Sequence, residues 1–143
     1  MPTNSLSELL ESFSPIGQSI TIADALKPDM PIVYANKGFE NFSGYTREEI
    51  IGRNHRFMQG EKVAQESIDI MRKTIISNSS CIVDVLNFSK DGSPISNRLS
   101  LRPIFDQNEK LRYYIGIQSN VTILKDIEDK IFGYMSSALS VVS

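Results

Sequence analysis

Between Gly52 and Gly60 the sequence reads Gly-Arg-Asn-His-Arg-Phe-Met-Gln-Gly, a run of hydrogen-bonding and charged side chains around one apolar pair, Phe57 and Met58. Asn54 and Gln59 are amides, able to donate and accept at once. Arg56 carries a planar, forked cation. His55 is the single histidine of the chain, and imidazole is the side chain that ordinarily titrates near neutrality. Such density suits the wall of a pocket for a polar ligand better than a helix buried in a core.

That wall needs a scaffold, and the flanking patterns supply one. Ser19 to Ala23 and Ile32 to Ala35 read as short strands, separated by a loop fixed by Pro28 and Pro31. Asn36 is placed to cap a helical turn carrying Phe39 and Phe42, which Gly44 breaks. Thr46 and Glu49 have capping-box spacing, and Gly52 ends the turn that follows. Ala64, Ile68, Met71 and Ile75 mark one face of a longer helix. Three strand-like runs follow: Cys81 to Ser89, Ile95 to Phe105 and Leu111 to Thr122. The first two are joined by Lys90-Asp91-Gly92-Ser93, a strong hairpin turn. Strands segregated from helices predict an α+β fold with a five-stranded antiparallel sheet and helices on one face.

Two further segments flank this core, which spans residues 18–122. Ser5-Leu6-Ser7-Glu8 opens a short amphipathic helix within residues 1–17, ending at Pro15. Over residues 123–143, Leu124, Ile127, Ile131, Tyr134, Ala138 and Val141 recur at alternating spacings of three and four. This is an a/d seam. It fits a helix folded back over the sheet or a coiled coil between two copies, and the second is preferred, giving a homodimer.

Bulk properties narrow the function. The chain has 143 residues, 41% of them hydrophobic and 22% charged, the balance of one globular domain. A formal charge of −2 gives no electrostatic reason to expect nucleic acid as a partner. The lone cysteine, Cys81, rules out an intrachain disulfide and argues against a zinc site. No signal peptide or membrane-spanning run is read, so a cytoplasmic location is expected. No nucleophile–base pair or metal cluster is seen, so an enzyme is not expected.

Taken together, these elements resemble a PAS domain and, more narrowly, a LOV domain, the flavin-binding blue-light sensor. The family pattern Gly-x-Asn-Cys-Arg-Phe-Leu-Gln-Gly is similar to Gly52–Gly60. Pro31 to Asn36, Phe42 to Ile50, Asn87-Phe88-Ser89-Lys90-Asp91-Gly92, Asn97 and Tyr114 to Gln118 resemble further family segments. The flanking helices are similar to the dimerising extensions of short bacterial LOV proteins. The resemblance implies FMN as cofactor, with Arg56 and Arg72 at its phosphate and Asn54 and Gln59 at the ribityl chain and ring. It also implies that Asn87, Asn97 and Gln118 read the polar edge of the ring. Strand parity agrees with this: Asn87 shares a face with Val83 and Val85, and Asn97 with Leu99 and Leu101. Ile32, Phe57, Met58, Leu86 and Leu101 are the expected apolar walls.

One position departs from the family. Its photochemistry needs a thiol where this chain has His55, and Cys81 begins a strand outside the motif. Three readings follow: photoreduction of the flavin without a covalent bond, a redox sensor or constitutively fluorescent flavoprotein, and a cysteine-replaced form of an ordinary photoreceptor. A PAS-type interaction module without flavin is the alternative from another class. With no output domain in the sequence, the downstream protein partner is unknown.

Overall fold

The computed structural model describes residues 18–61 and 63–142. The helix expected within residues 1–17 lies outside the described residues. Five strands form one sheet: β1 (Ser19–Asp24), β2 (Ile32–Ala35), β3 (Cys81–Phe88), β4 (Pro94–Phe105) and β5 (Leu111–Asn120). Their spatial order is β2-β1-β5-β4-β3, antiparallel at each pairing. Helices α1 (Lys37–Ser43), α2 (Arg47–Ile50) and α3 (Gln65–Ile76) and a 3-10 turn (His55–Met58) connect β2 to β3. The last helix, α4 (Thr122–Val142), leaves β5 directly.

The short helices begin where side chains satisfy their free N–H groups. Asn36 Oδ1 accepts from Phe39 N at 3.0 Å and from Ile20 N at 2.9 Å, tying α1 to β1. Thr46 and Glu49 form the expected capping box. Gly44 ends α1 at φ +79, a left-handed conformation that costs glycine little. The β3–β4 hairpin closes as read from sequence, with Ser89 N donating to Ser93 O at 3.0 Å.

Two apolar clusters fill the space between sheet and helices. One comprises Ile32, Ala35, Phe39, Ile50, Met58 and Ile95, and the other Val83, Val85, Leu99, Leu101 and Tyr114. Along β4, Ile95 belongs to the first, Leu99 to the second, and buried Asn97 lies between them on the same face. A polar band therefore divides the core. The last helix does not fold back over the sheet: residues 126–140 of α4 are all exposed. Its ties to the sheet include two long ion pairs, Arg98–Glu128 at 3.9 Å and Lys125–Asp84 at 3.8 Å.

Candidate functional site

A cavity of about 300 Å³ opens between α3, the 3-10 turn and the sheet. Of the residues singled out from sequence, Asn54, His55, Arg56, Gln59, Arg72 and Leu101 line it. Leu99, Tyr114 and Gly116 supply the sheet wall, and Met71 and Ile75 the helix wall.

Asn54 lines the cavity and also holds the turn in place. Its Oδ1 accepts from Arg56 N at 3.0 Å, capping the 3-10 turn, and its Nδ2 donates to Asp29 O at 2.6 Å. Arg56 is held in a fork by the Asp29 carboxylate, with Nη1 donating to Oδ1 at 2.7 Å. The bonded guanidinium keeps the Asp29 carboxyl below the usual carboxylate range. Asp29 and Met30 adopt left-handed conformations, φ +65 and +43, in the β1–β2 loop. The polar stretch and this loop are thus clamped together at the cavity mouth. Arg72 lies on α3 at the same cavity.

Asn87, Asn97 and Gln118 are buried on three adjacent strands, the first two on the faces predicted by parity. None of the three lines the cavity; they lie in the polar band beside it. Asn97 Nδ2 donates to Asn87 Oδ1 at 2.9 Å, and Asn97 Oδ1 accepts from Ser119 N at 3.2 Å. Gln118 Oε1 accepts from Ser19 Oγ at 2.6 Å, and Gln118 Nε2 donates to Thr21 Oγ1 at 2.9 Å. Gln59 pairs with Asn87 through an isolated antiparallel bridge.

His55 crosses from the 3-10 turn to the sheet. Its Nε2 is 2.5 Å from Thr21 Oγ1, and its ring meets Phe39 edge-on at 5.9 Å between centroids. Burial lowers the imidazole pKa to about 4, so the ring is neutral at pH 7. A neutral ring can accept the Thr21 hydroxyl at Nε2 while Thr21 accepts from Gln118, which joins His55, Thr21, Gln118 and Ser19 in one row of hydrogen bonds. Gly116 leaves room for this row: a Cβ there would lie 2.8 Å from Thr21 Oγ1 and 3.4 Å from His55 Nε2.

The apolar walls need correction. Ile32 and Met58 lie in the first core cluster and Phe57 packs on it, so these three are not cavity walls. Leu86 alternates with buried Val85 and Asn87 and therefore projects from the opposite face of β3. Cys81 packs at the edge of the second cluster and does not line the cavity. Sequence reasoning passed over Thr21, Ser19 and Asp29. Two hydroxyls two residues apart, Ser19 and Thr21, were a signal of a polar row on one strand face. Asp29 had no such signal.

Among the described residues no group of three or more His, Cys, Asp or Glu is arranged for a metal ion, and no helix is long and apolar enough to cross a membrane.

Residues 18–122 match the PAS domain family. Phototropin-1A of Oryza sativa subsp. japonica is 39% identical over 115 residues, which is 80% of this chain and 12% of that protein. A solved RNA-binding light-oxygen-voltage receptor superposes with a TM-score of 0.86 at 30% identity, covering 98% of this chain and 40% of the receptor. The solved LOV domain of a blue-light-activated histidine kinase from Erythrobacter litoralis matches with a TM-score of 0.70 at 38% identity, covering 74% of this chain and 97% of that domain. The chain therefore belongs to the PAS domain family and, within it, to the light-oxygen-voltage domains.

Proposed function

We propose that this chain is a flavin-binding sensory module for blue light or redox state, with FMN as cofactor, that works without the covalent sulfur chemistry of its family. The observation that carries the reading is the set of buried amides on β3, β4 and β5. Asn97 and Gln118 each use one of their two amide N–H groups on the neighbours described, leaving a second donor on each. A buried amide with spare donors fits the alternating edge of a flavin ring, and Arg56 and Arg72 fit its phosphate. The cavity volume stands at the low end for a small-molecule site.

When bound, a flavin supplies blue-light absorption and the ability to take up electrons and protons. The protein's part is to orient and exclude. His55 presents nitrogen where the family has a thiol, so position 55 cannot form a carbon–sulfur bond. Tyr114 lines the cavity with its hydroxyl bonded to Thr74 O at 3.1 Å and Ser79 O at 3.0 Å, and the electrons for reduction come from an outside donor. Gln118 lies two residues before Asn120, whose Oδ1 accepts from Thr122 N at 3.1 Å where α4 starts. A turn of the Gln118 amide would reach α4 through β5. The exposed row Leu124, Ile127, Ile131 and Tyr134 supports a homodimer seam on that helix. RNA binding, named for one structural relative, is not carried over, because a net charge of −2 gives no electrostatic reason to expect a nucleic acid backbone as partner. The chain is read as a sensor handing its signal to a protein partner, not as an enzyme.

The test is an absorption spectrum of the purified protein before and after blue illumination, with and without a mild reductant. A visible band that fades only with reductant is expected. Fading without reductant would contradict the role given to His55, and a colourless protein unable to take up flavin would leave the second reading, a PAS interaction module. That reading is favoured by one observation: the cavity ends at His55, short of the amides.

A further inference from the structure

One side chain that lines the cavity also crosses it to the sheet: His55. The ring of His55 stands over Gly116 and reaches Thr21 on the sheet at 2.5 Å. A Cβ on Gly116 would sit 3.4 Å from His55 Nε2 and 3.1 Å from Gln118 Nε2, so both side chains crowd the same small patch of β5. The open space beside the ring is lined by Leu99, Leu101 and Tyr114. Gln118, the cross-strand partner of Leu99, donates to Thr21, and Asn97 and Asn87 lie buried further along the sheet without lining the cavity. The row of hydrogen bonds ends on a planar nitrogen heterocycle belonging to the protein itself.

We propose that His55 is a plug: its imidazole fills the inner end of the cavity as an internal substitute for the edge of a flat heteroaromatic ligand, and the Thr21 hydroxyl latches it there. The proposal rests on the flavin reading above and names what regulates entry to that site. For a ligand ring to meet Gln118 and the amides beyond, the contact between His55 and Thr21 must break. Gln118 is then free to bond the ring edge. Affinity is set by competition between the imidazole and the ligand ring for the inner end of the cavity, and Thr21, although outside the motif, acts on it by holding His55 in place.

The full chain, freed of flavin, is titrated with riboflavin and with FMN, following quenching of flavin fluorescence. Thr21→Val keeps the shape and removes the latch; it is expected to tighten binding roughly two- to tenfold, the span of one buried hydrogen bond. His55→Ala removes the plug and is expected to tighten binding at least as much. If the wild type binds flavin and both variants bind no more tightly, His55 is a fixed wall and the proposal is overturned while the flavin reading stands. If neither wild type nor variants bind either flavin, both are overturned. Should a variant not fold, the nitrogen-15 resonance of His55 Nε2 in the wild type decides. A shift on saturation with riboflavin is the expected result, and an unmoved resonance overturns the latch.

Discussion

Neutral His55 makes the flavin-free protein sensitive to mild acid. The folded chain holds the imidazole at a pKa of about 4, against an ordinary value of 6.5, because burial disfavours the cation. A depressed folded pKa means that the unfolded chain takes up the proton first. The contribution to stability is therefore complete above pH ~6.5 and is lost as pH falls toward ~4. At ~1.4 kcal/mol per pH unit, the loss by pH ~4.5 is about 2.5 kcal/mol, and it levels off at ~3.5 kcal/mol. The comparison is urea unfolding of the flavin-free protein at pH ~7.5 and ~4.5, for wild type and His55→Gln. Glutamine keeps a hydrogen-bonding group near Thr21 and cannot titrate. With a urea dependence of roughly 1–3 kcal/mol per molar, the wild-type midpoint should fall by about 1–2 M more than that of His55→Gln. Exposed carboxylates such as Glu49 and Asp91, both held at about 2 by their partners, titrate lower and affect both proteins alike. Equal falls in the two proteins would refute the picture of a buried neutral imidazole.

Three other perturbations follow from the same structure. Asn36→Ala removes the cap of α1 and the partner of Ile20 N at once, and should cost roughly 2 kcal/mol or more in urea unfolding. Gly116→Ala forces a methyl to within 2.8 Å of Thr21 Oγ1; a loss of about 1–3 kcal/mol and weaker flavin uptake are expected, and unchanged binding would show that the row can shift. Ile127→Glu with Ile131→Glu alters two exposed positions, so monomer stability should move by no more than about 0.5 kcal/mol. Sedimentation is expected to report a dimer for the wild type and a monomer for this variant, and equal masses would refute the proposed seam.

What could be read in advance follows the range of the interactions. Strand β2 falls at Ile32–Ala35, as expected from a run of apolar residues after Pro31. The caps at Asn36 and Thr46 and the hairpin at Gly92 are local chemistry and are found where the sequence placed them. The faces carrying Asn87 and Asn97 followed from period-two alternation, whereas Gln118 came from the resemblance. Leu86 was misplaced because the same alternation was not applied to its neighbour. The central link of the site joins residues 34 apart, Thr21 and His55. It exists because β1 lies beside β5 and the 3-10 turn folds over both, which is a property of topology and not of any local pattern. The Asp29–Arg56 fork spans 27 residues and depends on two left-handed residues in a loop, again with no local signature.

The junction after β5 has a mechanical corollary. Only Val121 separates that strand from α4, and Thr122 Oγ1 accepts from Ser96 N at 2.9 Å, pinning the joint to the neighbouring strand. Beyond the joint extends an arm of 21 residues, about 30 Å at 1.5 Å per residue. Over that reach a tilt of about 5° at the root carries the tip roughly 3 Å, about half the pitch of a helical turn. A displacement too small to notice at Gln118 is thus enlarged several-fold at the far end of the arm.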